Sequence, residues 1–163
     1  MLWLKLLVYG PLYIGLFLVA GPWYALRLGG SSLLPASPWS IAAGAVPILA
    51  GAALGARCVW DFGKVGRGTP AAFDAPQDHV TVGLYRNVRN PMYVAALLAV
   101  LGEAVAYLSV WIVAYMACIW LLCHLFVVLY EEPTLRRKFG DAYRTYCAAV
   151  PRWIPRLRPA MTT

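Results

Sequence analysis

Two adjacent carboxylates, Glu131 and Glu132, combine a residue type and a placement that suggest chemistry. They directly follow a long apolar stretch. If that stretch is a helix, both carboxylates lie at its negative C-terminal end, where a cationic group must compensate them. Arg136 or Arg137 in the next turn is one such group. The ammonium group of a bound ligand is the other, and both interpretations are open.

A second motif lies upstream, at residues 83–93, and reads Gly-Leu-Tyr-Arg-Asn-Val-Arg-Asn-Pro-Met-Tyr. Asn90 is a favourable N-cap and Pro91 suits the first helical position, so a helix is predicted to begin there. The backbone N–H groups of that helix start, together with Arg89, form a site suited to a carboxylate or phosphate. A simpler interpretation is equally open, in which Arg86 and Arg89 only anchor the chain to lipid headgroups.

Two other ionisable residues, Glu103 and His124, lie inside apolar stretches. Such a residue at membrane depth is a functional candidate. The favoured interpretation of Glu103, however, is a neutral carboxyl group that is hydrogen-bonded between neighbouring helices. His124 is expected to form a helix-to-helix hydrogen bond rather than to bind a metal or haem. The four cysteines have no spacing typical of a zinc site or a disulfide framework, so no metal is predicted.

Membrane helices must position these residues, because 61% of the 163 residues are apolar and only 13% are charged. A soluble domain is about 45–50% apolar and about 25% charged. Apolar stretches, with no charge between Leu6 and Leu26 and none between Leu28 and Ala56, predict membrane spans at about residues 6–26 and 39–60. The stretch at 91–130 is about twice the length of one crossing and predicts two more spans, joined by a turn at 107–109. Residues 61–90 are predicted to form a loop.

The chain beyond Tyr130 is polar and basic, and its apolar residues recur at helical spacing. They are Leu135, Phe139, Tyr143 and Tyr146. This pattern predicts an amphipathic helix at the membrane surface. With four spans, all of the 14 Lys and Arg residues except Arg27 lie on one side, which the positive-inside rule identifies as the cytoplasm. The net charge of +7 is then explained without nucleic acid.

The predicted fold class is therefore an all-α membrane protein with about four transmembrane helices and a cytoplasmic C-terminal amphipathic helix. Both termini, and the candidate site formed by the two motifs, are expected to be cytoplasmic. The chain is thus expected to be a multi-pass integral membrane protein.

Taken together, these motifs resemble the isoprenylcysteine carboxyl methyltransferase and phospholipid N-methyltransferase family. The residues that carry the resemblance are Tyr85-Arg-x-x-Arg89-Asn-Pro-x-Tyr93, then a membrane hairpin, then Glu131-Glu132, Leu135, Phe139-Gly140, Tyr143, Tyr146 and Val150-Pro151-Arg152-x-Ile154-Pro155. The similarity covers about residues 66–156. We expect N-terminal transmembrane helices in residues 1–62 and a methyltransferase core in residues 63–163.

The resemblance implies a membrane-embedded, S-adenosylmethionine-dependent methyltransferase. It assigns cofactor binding to Tyr85, Arg89, Asn90, Pro91, Tyr93, Gly102, Glu131, Glu132, Tyr143 and Tyr146. It assigns catalysis to Arg89, Tyr93, Glu132 and Arg152. A lipophilic or lipid acceptor is expected to enter sideways from the bilayer, while the cofactor enters from the cytosol.

The charges of S-adenosylmethionine fit the two motifs. Its carboxylate would meet Arg89 and the helix start, its ammonium group would meet the glutamates, and aromatic rings would face the sulfonium or pack the adenine. Catalysis would consist mostly of positioning. The arginines would orient an anionic acceptor such as a prenylcysteine-like carboxylate. A lipid amine would need a base, for which Glu132 or Tyr93 is available.

Two positions depart from the family pattern. Asn90 stands where many members have His, and Ala149 stands where eukaryotic prenylcysteine enzymes have a basic residue, for which Arg152 could compensate.

Two other functions stay open. One is an NADPH-dependent membrane reductase of related architecture, and the other is a non-enzymatic membrane subunit on the same scaffold.

Overall fold

The structure, a computed structural model, describes residues 11–65 and 82–158. The helices in these two ranges are α1 (Pro11–Leu28), α2 (Pro38–Val65), α3 (Pro91–Tyr107), α4 (Val110–Phe126) and α5 (Glu132–Ala149). A 3-10 turn, Gly83–Arg86, precedes α3, and a π-helical turn, Val127–Glu131, joins α4 to α5. Neither described range contains a β-strand.

Three helical segments of the described chain are long and apolar enough to cross a membrane. They are Pro11–Leu28, Pro38–Asp61 and the continuous segment Val110–Ala149. The prediction of an all-α membrane protein is therefore confirmed. Helix α3 has 17 residues, the lower limit for one crossing, so the count of four spans stays a prediction. The membrane-surface position of α5 and the cytoplasmic side of the termini also stay predictions.

The predicted turn between the third and fourth apolar helices is present, because α3 ends at Tyr107 and α4 begins at Val110. Leu108 has a φ of 48°, in the left-handed region. The Leu108 N–H donates to the Val105 carbonyl at 3.3 Å and the Ser109 N–H to the Ala104 carbonyl at 3.1 Å. These two bonds satisfy carbonyls that the end of a helix would otherwise leave unpaired.

The predicted loop at 61–90 begins too early, because α2 continues one turn beyond Asp61 to Val65. Arg57 and Asp61 stabilise this end of the helix, with Nε 3.1 Å from Oδ1 across one turn. The carboxylate of Asp61 also lies where a side chain at Gly83 would stand, and Gly83 has a φ of 56°, so a glycine is needed there. The first ten residues and residues 66–81, the rest of that loop, lie outside the described residues.

Contacts divide the chain into two compact units, and the described part of the first comprises residues 11–53 and 95–122. Its core contains Leu26, Val100, Ala104 and Ile112. Small residues let α2 and α3 approach closely, and a Cβ on Gly102 would lie 2.5 Å from the Gly44 carbonyl oxygen. Membrane helices have no hydrophobic driving force between them, so van der Waals packing at small residues stabilises their contact instead.

Among the described residues, the predicted hydrogen bond of Glu103 is not observed at one of its two carboxyl oxygens. The Oε2 atom of Glu103 is buried and has no hydrogen-bond partner in the described part of the chain.

At the start of α2, Ser37 and Ser40 cap each other, with both backbone-to-hydroxyl distances 3.0 Å. The Ser40 hydroxyl also donates to the Ala106 carbonyl at 2.8 Å, which fixes α2 against the end of α3.

Enlarging Gly102 tests this helix contact. We expect Gly102→Leu to destabilise the folded protein by about 1–3 kcal/mol, because the added atoms meet the α2 backbone at Gly44 and Ile48 as well as the Ile48 side chain. Gly15→Leu is the matched control, since a Cβ at Gly15 meets no atom within 4 Å. The midpoint of thermal unfolding in detergent micelles measures both effects. Equal midpoints for the two variants would contradict a close α2–α3 contact at Gly102.

The second unit comprises residues 54–65, 82–94 and 123–158 of the described chain. Tyr143, Tyr146 and Val150 form its buried apolar cluster, with Leu135 and Phe139 packed against them. The apolar residues that recur in the sequence beyond Tyr130 thus pack together in this cluster, although α5 is kinked at Gly140, whose φ of 57° and ψ of −129° are not helical. The proposed division of the chain near residue 62 into two functional domains stays a prediction.

Candidate active site

The candidate site begins at the start of α3, in the second unit. Pro91 is the first residue of that helix, as predicted, and the Val94 N–H donates to the Asn90 carbonyl at 3.1 Å. The side-chain amide of Asn90 donates in another direction, to the Arg152 carbonyl at 3.1 Å. Asn90 therefore joins the helix start to the C-terminal part of the chain.

Glu132 is the centre of the site, because three arginines converge on its carboxylate. Oε1 accepts a hydrogen bond from Nη1 of Arg89 at 2.8 Å and another from Nε of Arg152 at 2.7 Å. Oε2 accepts from Nη2 of Arg152 at 3.0 Å and from Nη2 of Arg136 at 3.3 Å. Arg152 thus holds the carboxylate with both arms of its planar guanidinium. Glu132 is 3% exposed, and such a buried carboxylate requires this compensation.

These contacts determine the charge state of the cluster. Burial alone would raise the pKa of Glu132, but the hydrogen bond from Arg152 and the positive charges of Arg89, Arg152 and Arg136 bring it below its ordinary value. The hydrogen bond to Glu132 in turn raises the pKa of Arg152. Glu132 is therefore ionised at neutral pH. One carboxylate facing three guanidinium groups leaves the cluster with an excess of positive charge.

Arg89 carries part of this positive charge, and its guanidinium is only partly paired within the described chain. Its side chain is 13% exposed, and its Nη1 atom contacts both Glu132 and the sulfur of Cys147, the latter at 3.1 Å. Its Nε atom is buried and has no hydrogen-bond partner in the described ranges. A buried donor without a partner costs stability, so this N–H is suited to an anionic acceptor on a ligand.

Glu131 has a different environment from its neighbour. Its Oε2 atom accepts a hydrogen bond from the Tyr93 hydroxyl at 3.3 Å. The Tyr93 ring lies 6.2 Å from the Trp153 ring, and the Trp153 indole N–H donates to Nδ1 of His124 at 3.0 Å. Within the described residues, Glu131 forms no ion pair with an arginine. A carboxylate beside aromatic rings suits a cationic ligand group.

Three of the predicted tyrosines have structural contacts. The Tyr146 hydroxyl donates to the backbone carbonyl of Tyr85 at 2.8 Å, which fixes the 3-10 turn before α3. Tyr143 and Tyr146 are both buried, with their rings 6.0 Å apart. Their assignment to cofactor binding stays a prediction.

The C-terminal segment, residues 151–158, completes the site. The Arg89 N–H donates to the Pro151 carbonyl and the Arg156 N–H to the Asn87 carbonyl, each at 2.9 Å. The Asn87 side chain donates back to the Arg156 carbonyl at 2.7 Å. These bonds place Arg152 where its guanidinium reaches Glu132.

Gly102, another predicted site residue, belongs to the first unit, where it packs against Gly44 and Ile48. Its assignment to the cofactor stays a prediction, whereas its packing contact is observed.

Three residues of the site were not predicted from the sequence. Asn87 and Trp153 occupy variable positions of the two motifs, and Cys147 lies between motif residues, so no sequence signal marked them. His124 forms a hydrogen bond, as predicted, but its partner Trp153 belongs to the C-terminal segment and not to another helix.

A family model described as phospholipid methyltransferase matches residues 39–142. The matched range contains α2, α3, α4, Arg89, Tyr93 and both glutamates, and it ends before Arg152. No curated protein and no solved structure matches the chain.

Proposed function

Because the chain belongs to the phospholipid methyltransferase family, whose model covers more than half of it, we propose that it transfers a methyl group from S-adenosylmethionine to an acceptor dissolved in the membrane. Family membership makes it a membrane methyltransferase, and S-adenosylmethionine as the donor is part of the proposal. The family match supports neither the reductase nor the non-enzymatic subunit.

The observation that carries the cofactor assignment is the contrast between the two neighbouring glutamates. Glu132 is compensated by three arginines, whereas Glu131 has only the Tyr93 hydroxyl as a hydrogen-bond partner among the described residues. The cluster around Glu132 also contains the unpartnered Nε of Arg89. A ligand that carries both a carboxylate and an ammonium group fits this arrangement of charges.

In this proposal, Arg89 binds the carboxylate of the cofactor and Glu131 binds its ammonium group. When bound, the cofactor supplies an electrophilic methyl group on a sulfonium. Tyr93 and Trp153 present aromatic rings, which favour a nearby cation. The chain contributes mainly by holding donor and acceptor in line.

Glu132 has a positioning role in this proposal. Its lowered pKa and its four hydrogen bonds make it a poor base, and it orients Arg89 and Arg152 instead. Tyr93 remains as the candidate base for an amine acceptor, because its hydroxyl donates to the Glu131 carboxylate and would pass its own proton there as it takes one from the amine. A carboxylate acceptor would need no base. The acceptor classes are therefore a prenylcysteine-like carboxylate, a lipid amine and another small lipophilic nucleophile.

Ligand titration of the purified protein tests the proposed function. We expect S-adenosylhomocysteine to bind and NADPH not to bind, with calorimetry as the measurement. Binding of NADPH alone would favour the reductase. Binding of neither ligand would favour the non-enzymatic subunit.

The Glu131 assignment makes a sharper prediction. Glu131→Gln should weaken S-adenosylhomocysteine binding by about 1.5–3 kcal/mol, the value of a lost charge-assisted hydrogen bond. Asp141→Asn is the control, since Asp141 lies on the following helix with its side chain 92% exposed. Unchanged affinity in Glu131→Gln would argue against an ammonium group at this carboxylate.

The proposed topology places both termini and the cofactor site in the cytoplasm, because Arg27 alone among the 14 basic residues falls on the other side. A reporter inserted at Ser31, in the connection between α1 and α2, should be on the outside, and a C-terminal reporter should be cytoplasmic. A cytoplasmic reporter at Ser31 would show that the assignment of sides is wrong.

A further inference from the structure

The C-terminal segment has a surface that the proposed chemistry does not use. Ile154 is 80% exposed and Leu157 is 101% exposed. Arg156 and Arg158 are exposed beside them. The segment contains no acidic residue. Two largely exposed apolar side chains thus lie beside two exposed arginines within residues 154–158.

This exposure belongs to a fixed part of the chain. The reciprocal hydrogen bonds between Asn87 and Arg156, at 2.9 and 2.7 Å, hold the backbone at Arg156, between Ile154 and Leu157. The side chain of Arg156 also donates to the Ala149 carbonyl. The segment therefore presents its apolar side chains in a defined place, and their exposure to water costs free energy.

We propose that the C-terminal segment binds the anionic headgroup layer of the bilayer, with Ile154 and Leu157 inserted at its apolar edge and Arg156 and Arg158 facing lipid phosphates. Apolar side chains next to arginines are typical of chain that lies in a membrane interface. The chain already crosses a membrane, so this surface is available to it without a further binding event. Two apolar side chains are too few for a stable protein–protein interface, which buries about 1,200 Å² or more.

Lipid binding here has a consequence for the site. The segment also contains Arg152, whose guanidinium holds Glu132 through two hydrogen bonds. A bilayer that binds the segment therefore supports the placement of Arg152. This inference does not depend on which acceptor is methylated.

Photo-crosslinking of the full-length protein in lipid nanodiscs tests the proposal. A benzophenone side chain replaces Leu157, and a matched control carries it at Thr145, an exposed position on the polar face of α5. The nanodiscs contain an equal mixture of phosphatidylcholine and phosphatidylglycerol, and mass spectrometry identifies the adducts.

We expect lipid adducts at Leu157 that are several-fold more abundant than at Thr145 and enriched in phosphatidylglycerol. Arg158→Gln should reduce that enrichment without abolishing the lipid adducts. Equal adducts of the two lipids in both backgrounds would overturn the anionic preference. Lipid adducts at Leu157 no more abundant than at Thr145, or adducts only to a second protein copy, would overturn the proposal entirely. Because the readout is a covalent lipid adduct, its failure is distinguishable from failure of methyl transfer.

Discussion

Glu132→Ala is expected to destabilise the protein by about 3–5 kcal/mol and to abolish methyl transfer. Removing one partner from a buried ionic cluster leaves the other charges uncompensated, and this costs more than the cluster itself contributes. Here the loss would leave Arg89, Arg136 and Arg152 facing one another around an empty centre. Chemical unfolding in detergent, followed by circular dichroism, measures the change.

Glu131→Ala is the matched control, because it removes the neighbouring carboxylate and leaves the arginine cluster intact. We expect it to reduce cofactor binding with a much smaller loss of stability. If both variants lost the same stability, the assignment of Glu132 to positioning and of Glu131 to ligand binding would be wrong. Glu132→Gln is a useful second variant because it keeps the shape of the side chain while its amide group removes the negative charge.

The pH dependence of stability offers an independent check on Glu132. The pKa of this carboxyl group is lower in the folded protein than its ordinary value, so the folded state favours the ionised form. Its contribution to stability is present above the ordinary pKa and is lost as the pH falls towards the folded value. The difference in unfolding free energy between the natural protein and Glu132→Gln should therefore shrink in acid.

The sequence was most informative where a local pattern decides the structure. The long apolar stretches predicted α2 and the hairpin of α3 and α4, because helix length and hydrocarbon thickness are linked. Asn90-Pro91 predicted the first residue of α3 for the same kind of local reason. The end of α2 was misplaced because Asp61 reads as the first polar residue of a loop, whereas its ion pair with Arg57 prolongs the helix.

The partners of the glutamates could be predicted only in part. Arg136 lies one turn after Glu132, and its ion pair followed from helical spacing. Arg89 and Arg152 reach the same carboxylate from other parts of the chain, and no local pattern encodes such a contact. The sequence pattern did not distinguish the two glutamates for this reason, whereas the fold gives each of the two carboxylates different neighbours.

Arg89→Lys is expected to lower kcat/KM for methyl transfer about ten-fold or more while leaving expression, membrane insertion and the unfolding midpoint nearly unchanged. Lysine keeps a positive charge that can pair with Glu132, so the cluster stays compensated. It lacks the planar fork, however, and cannot serve Glu132 through one nitrogen and a ligand carboxylate through another. The unpartnered Nε of Arg89 is the atom that this substitution removes.

Arg86→Lys is the control for Arg89→Lys, because both arginines precede α3 and both satisfy the positive-inside rule. If they only anchor the chain to headgroups, both substitutions should be nearly silent, since either side chain can extend to the lipid surface. Transfer of labelled methyl groups from S-adenosylmethionine to extracted membrane lipids measures the two variants side by side. Equal, small effects would contradict an anion-binding role for Arg89, because the two positions differ mainly in whether the guanidinium belongs to the Glu132 cluster. A selective loss at Arg89 with an unchanged unfolding midpoint cannot come from a merely structural ion pair, because lysine preserves that pair.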